Sequence, residues 1–181
     1  YKNDTGDENI LGDIGGDISY RLAPNLSASL SVNTDFAETE IDHRQLNFTR
    51  FSIEYPEKRD FFLKDSGIFQ FGPSSRRSRS QSSTPFFSRR IGLTDSGHPV
   101  PINLATKITG RIGKYNIGMI GAMLDKHSGI GSQNVFVTRI SRNVLEQSSI
   151  GMISTLGDPN SDKDAHMIGT DFNYRTTKFL T

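Results

Sequence analysis

Ile10-Leu11-Gly12-Asp13-Ile14-Gly15-Gly16-Asp17-Ile18-Ser19-Tyr20-Arg21-Leu22, then Ala23-Pro24-Asn25, then Leu26-Ser27-Ala28-Ser29-Leu30-Ser31-Val32-Asn33-Thr34-Asp35-Phe36, is the stretch that decides the fold. Even positions carry Ile, Tyr, Leu, Val and Ala. Odd positions carry Asp, Ser, Arg and Asn. A period of two is the signature of a strand with one dry and one wet face. The Ala-Pro-Asn triplet reads as the turn between two such strands. Strands this long exceed the usual soluble strand and match the tilted strands that cross a bilayer.

The pattern recurs along the chain. A third strand is expected at 46–55, where Thr49, Phe51, Ile53 and Tyr55 oppose Phe48, Arg50, Ser52 and Glu54, and Pro56 ends it. Alternation then stops and returns after Pro101. Strands are expected at 103–112, 115–124, 133–143, 147–156 and 165–175. Turns at 23–25, 113–114 and 143–146 are short, and loops at 125–132 and 157–164 are longer. Short turns on one side and long loops on the other describe an up-and-down barrel. The facing follows from parity. Ile10, Ile14, Ile18, Tyr20, Leu26, Leu30, Val32, Phe51, Ile53, Ile108, Ile112, Ile168 and Phe172 are expected on the lipid side. Asp13, Asp17, Ser29, Asn33, Lys107, Arg111, Asp171 and Asn173 are expected inside.

Residues 56–102 form a long inserted segment. Its apolar clusters, Phe61-Phe62-Leu63, Ile68-Phe69 with Phe71, and Phe86-Phe87, are too short to cross a bilayer and too apolar for a free loop. They need a protein surface, so the segment is expected to fold into or across the barrel mouth. Its charges Glu57, Lys58, Arg59, Arg89 and Arg90 are then expected to pair with carboxylates of the lumen. Phe86 to Leu93 reads as a short strand.

Composition excludes several classes. The 181 residues carry 21 Lys plus Arg against 20 Asp plus Glu, a formal charge of +1, so no nucleic-acid partner is indicated. No cysteine is present, which removes disulfides and thiolate metal sites. No apolar run is long enough for a membrane-spanning helix, whereas barrel strands remain open because half of each faces water. No signal sequence follows Tyr1, and Tyr174 to Thr181 reads as a turn feeding a strand that is then cut. The chain is therefore expected to be an internal fragment of a larger barrel.

Several stretches resemble a known family. They are Asn33-Thr34-Asp35-Phe36-Ala37-Glu38 with Glu40 and Asp42, Leu46 to Phe51 leading into Tyr55-Pro56-Glu57-Lys58-Arg59-Asp60-Phe61-Phe62-Leu63, Phe86-Phe87-Ser88-Arg89-Arg90-Ile91-Gly92, Val100 to Arg111, and Asp171 to Arg175. With these the chain resembles a bacterial outer-membrane family of undescribed function, whose β-barrel follows a family-9-type carbohydrate-binding domain. The resemblance implies a barrel in the outer membrane of a Gram-negative bacterium and a periplasmic carbohydrate-binding domain before residue 1. It implies no reaction. A hydrolase label on such proteins would come from the neighbouring domain.

Candidate chemistry is sparse. Asp35, Glu38, Glu40 and Asp42 form an acidic run that could ligate a hard cation or, held about 5–9 Å apart, do glycosidase work. A solvated strand end with inward-facing acids is the plain reading and the favoured one. Arg76, Arg77, Arg79, Arg89 and Arg90 form a basic cluster that could meet an anionic solute or lipid phosphates, and the plain reading is a loop with a buried, paired arginine. Arg89, Arg90, Lys107 and Arg111 are the candidates for contacting a solute. His43, His98, His127 and His166 share no zinc spacing, and no serine sits in a nucleophile motif. No catalytic residue and no cofactor are expected.

The expected fold is all-β. It is an antiparallel up-and-down transmembrane β-barrel fragment spanning residues 1–181, with strands at 9–55 and 103–175 and the insert at 56–102. Its partners are outer-membrane lipid and a carbohydrate or other small solute. Its expected role is solute passage with a gating or plugging insert. A surface-binding or structural barrel and a carbohydrate-active hydrolase are the alternatives, and a soluble β-sandwich is the alternative fold.

Overall fold

Alternating sequences become strands because the two faces of a pleated ribbon meet different surroundings. The computed structural model describes residues 15–34, 57–72, 85–94, 98–127, 129–144 and 148–174. Seven strands follow: β1 (Gly16–Ala23), β2 (Leu26–Thr34), β3 (Ile102–Ile112), β4 (Tyr115–Leu124), β5 (Gln133–Val144), β6 (Ser148–Leu156) and β7 (His166–Asn173). They make one antiparallel sheet in chain order, β1 to β7. Among the described residues the sheet is open, with β1 and β7 at its edges. The two strands expected on either side of the 23–25 turn form over their described residues, and those expected at 103–112, 115–124, 133–143, 147–156 and 165–175 form within a few residues at each end. The expected strand at 46–55, with Phe51 and Ile53, lies outside the described residues, as do Ile10, Asp13, Ile14 and the acidic run 35–42.

β2 pairs directly with β3, from Leu26 opposite Gly110 to Thr34 opposite Ile102. The described residues between these strands, 57–72, 85–94 and 98–101, contribute no strand to the sheet. β3 and β4 join through Gly113-Lys114, where a φ of +59° at Gly113 suits a residue without a Cβ.

The register sorts the side chains into two faces. One face carries Ile18, Tyr20, Leu30, Val32, Ile112, Tyr115, Met123, Phe136, Ile140, Ile150, Met152, Leu156, Ile168 and Phe172, all exposed. Cross-strand rows show its continuity. Ile112, Tyr115, Arg142, Ile150 and Phe172 lie side by side, and Ala28, Ile108, Met119, Thr138, Ser154 and Ile168 form the middle row. Arg142 is the one Asp, Glu, Lys or Arg on this face among the described strand residues, and it lies at a strand end over the Tyr115 ring.

The opposite face carries Asp17, Ser19, Arg21, Ser27, Ser29, Lys107, Thr109, Arg139, Asp171 and Asn173 together with Ile120, Ala122, Leu124, Val135, Val137 and Ile153. The insert covers it from β3 to β7. Phe62, Phe69, Ile91 and Val100 of the insert pack with Ile102, Ala105, Ile120, Leu124, Val137 and Ile153 in a single core. Each fully buried Ile, Leu or Phe contributes about 1.5–3 kcal/mol relative to exposure. This core holds the insert down. The insert contains a one-turn helix α1 (Asp60–Leu63) and 3₁₀ turns at Ser66–Phe69 and Ser88–Arg90. The last corrects the expected strand at 86–93. There the carbonyl of Ser88 accepts both the amide of Ile91 and the guanidinium of Arg59, so the chain curls locally and does not join a ladder.

Candidate functional site

The charged groups buried beneath the insert share one problem: they lie near an apolar core and need partners. The solutions define the geometry of the site.

The first is a clasp inside the insert. Arg59, 4% exposed, donates from Nε and Nη2 to the two carboxylate oxygens of Glu57 at 2.8 Å each. It also donates to the carbonyls of Ser88 and Ile91, and its guanidinium lies 4.3 Å from the centre of the Phe62 ring. The Ser88 hydroxyl donates to Glu57 at 2.6 Å. Residues 57–59 and 88–91 are thereby joined, closing the two arms of the insert into one unit. Burial pushes the Glu57 carboxyl up, but the hydrogen bonds and charge of Arg59 with the Ser88 hydroxyl outweigh it, and its pKa lies below the ordinary 4.5.

The second is Lys107 on β3. A one-turn helix leaves carbonyls without intrahelical donors. The Lys107 ammonium donates to the carbonyls of Phe61 and of Lys64, the latter at 2.8 Å, and so caps α1 from the sheet. Thr109, two residues on, donates its hydroxyl to Asp65 at 2.8 Å.

The third joins β5, β7 and the insert. Arg139 makes a two-pronged ion pair with Asp171, at 2.6 and 2.9 Å, with both side chains buried. Asp171 also accepts the amide of Gly72 at 3.1 Å, and the Phe71 ring lies 5.4 Å from the Arg139 guanidinium. Gly118 and Gly169 make the seats. A Cβ at Gly118 would sit 2.8 Å from Ile68 and Phe69, and one at Gly169 would sit 3.0 Å from Phe71.

Arg59 is thus paired within the insert, and Asp171 of the covered face with Arg139 of the same face. For Arg59 this corrects the expectation that it reaches a carboxylate of the sheet. A neighbour two residues away in sequence is simply closer. The four expected solute-contacting residues have separate surroundings. Arg89 is buried in the insert at 8% exposure. Arg90 is exposed and lies 3.6 Å from Asp158 of the β6–β7 loop. Lys107 is committed to carbonyls. Arg111 is exposed and donates to Asn116 at 3.1 Å. The acidic candidates Asp35, Glu38, Glu40 and Asp42, and Arg76, Arg77 and Arg79, lie outside the described residues.

A cleft opens on this face, between the first hairpin and the insert. Its volume is about 380 Å³, and Ser19, Arg21, Ser27, Lys64, Asp65 and Thr109 line it with the Pro24-Asn25 turn. Arg21, Lys64 and Asp65 were not among the sequence candidates. The wet parity of β1 already carried the signal for Arg21. Nothing in the sequence placed Lys64 and Asp65 opposite it.

The sequence model of one protein family, a domain of unknown function designated DUF5916, matches residues 1–149. The chain belongs to the DUF5916 family. That match runs through β1 to β5, the insert and the opening residues of β6, so the DUF5916 region contains the clasp, the Lys107 cap and the cleft. Neither the curated proteins nor the solved structures include a match to this chain.

Proposed function

We propose that this chain is part of a transmembrane β-barrel in the outer membrane of a Gram-negative bacterium, and that the barrel passes a small solute beside an internal plugging or gating insert. The observation that carries the reading is the inverted distribution of polarity. The face crowded with Asp, Ser, Lys and Arg is the one the insert covers, and the apolar face is bare. A soluble domain does the reverse. Contiguous bare apolar area on this scale needs lipid or protein against it. Strand length fits lipid: β3 has 11 residues, about 36 Å along the strand and about 28 Å when tilted 40°, close to the apolar band of such barrels. Tyr20, Tyr115, Phe172 and Tyr174 cluster towards the short-turn end of the sheet, with Arg142 beside Tyr115, as aromatic residues do at a membrane interface.

The free edges of β1 and β7 call for further strands, since unpaired backbone is not tolerated in hydrocarbon. The resemblance to barrels that follow a family-9-type carbohydrate-binding domain makes a carbohydrate a natural solute.

The test is reconstitution of the full-length protein. Heat-modifiable migration and detergent dependence are expected, with solute flux into liposomes. A folded barrel without flux would instead make it a structural or surface-binding barrel. A monodisperse, cooperatively melting species in plain buffer would replace the barrel by a sandwich.

A further inference from the structure

Resting on the solute-passage reading, we infer that the solute route is the cleft between the first hairpin and the insert, that the packed remainder of the insert is a fixed filling, and that the solute class is small, uncharged and rich in hydroxyls.

The covered face divides into two unlike halves. Over β3 to β7 the insert is tied at every level. Ile91 and Val100 are buried with Ile102 and Leu124 at the long-loop end. Phe69 sits against Gly118 in the middle. Gly72 is bonded to Asp171 towards the short-turn end. The Glu57–Arg59–Ser88 clasp locks the two arms together. Nothing the size of a sugar passes there without breaking buried ion pairs.

Over β1 and the turn-proximal half of β2 the described residues leave the same face open, whereas Ser31 further along β2 is buried. Asp17, Ser19 and Arg21 are exposed, and Ser29 is half-buried and in hydrogen-bond contact with Ser19 at 3.0 Å. The cleft of about 380 Å³ separates this hairpin from Lys64 and Asp65. Its insert-side wall is fixed, because Lys107 holds the Lys64 carbonyl and Thr109 holds the Asp65 carboxylate.

The lining chooses the solute. Arg21 and Lys64 offer donors only, Asp65 offers an acceptor, and the Ser19 and Ser27 hydroxyls offer either. A polyol satisfies both kinds at once. An anion meets Asp65 and a cation meets two positive groups, so each leaves a group opposed.

The experiment uses the full-length protein in liposomes, with a cysteine introduced by Ser29→Cys. Modification with a bulky thiol reagent is expected to lower glucose uptake roughly fivefold or more. The same treatment of the parent and of Ser154→Cys, on the opposite face, is expected to leave uptake unchanged. The parent is expected to take up glucose faster than gluconate or choline. Ser19→Cys replaces Ser29→Cys should the latter fail to assemble. Unchanged uptake in the modified, folded variant of an active parent overturns the cleft route. Uptake of gluconate or choline as fast as glucose overturns the solute class. A parent without any flux overturns the solute-passage reading itself, and the route with it.

Discussion

Arg59→Met removes the centre of the clasp while keeping an unbranched side chain over Phe62. The loss can be worked from the contacts. Glu57, whose side chain is 9% exposed, would keep the Ser88 hydroxyl and the Lys58 and Arg59 amides but lose both guanidinium bonds. The Ile91 carbonyl would lose its Arg59 donor, whereas the Ser88 carbonyl would still accept the Ile91 amide. Removing one partner of a buried ion pair costs about 3–5 kcal/mol. The donors that remain on Glu57 put this case near the lower end, about 3 kcal/mol. At 1.36 kcal/mol per decade that is about a hundredfold rise in local opening of the insert. The assay is hydrogen exchange at the Ile91 and Val100 amides, which bond to Ser88 and Gly92 within the same corner. Heat-modifiable migration, read in parallel, is expected to stay unchanged, because the sheet ladders do not involve Arg59. The double variant Glu57→Gln, Arg59→Met is expected to recover part of the loss, since no unpaired carboxylate remains. Exchange at both amides within twofold of the parent would refute the assignment of the clasp as the tie between the arms.

The same pair sets a pH dependence. Glu57 has its folded pKa below the ordinary 4.5, so its contribution is complete above that value and is lost as the pH falls through the folded pKa; protection of the Ile91 amide, taken relative to the intrinsic exchange rate at each pH, is expected to be flat from pH 7 to about 5 and to fall in acid, and Glu57→Gln is expected to flatten the acid limb. Gly118→Val places a Cβ 2.8 Å from Ile68 and Phe69 and is expected to loosen the insert by about 1–3 kcal/mol, read as faster proteolysis between residues 57 and 72 with the sheet intact. Ser154→Arg lies in the middle row of the bare face, where a water-facing position would tolerate it within about 0.5 kcal/mol and a lipid-facing one would cost about 2–4 kcal/mol; folding titrations in lipid are expected to show the larger loss, and a neutral result would argue against the membrane.

Much of this protein is written in its period. Parity alone assigned Ile18, Leu30, Ile112, Ile168 and Phe172 to one face and Lys107, Asp171 and Asn173 to the other, because a two-residue repeat leaves a strand no freedom to mix them. The turns at 23–25 and 113–114 were legible for the same local reason. The apolar clusters of the insert showed that it needs a surface. What the period cannot specify is which surface, since that depends on residues far apart in sequence. Only the tertiary structure seats Phe69 on Gly118 and Phe71 on Gly169, turning two missing side chains into sockets. Only there does Lys107 find the carbonyls of Phe61 and Lys64. Arg59 turns to Glu57 two residues away because the local curl of the chain brings that carboxylate nearest. The cleft is the clearest case: Arg21 is on the wet parity of its strand, but Lys64 and Asp65 come opposite it only because a buried core over β3 to β7 holds the insert in place.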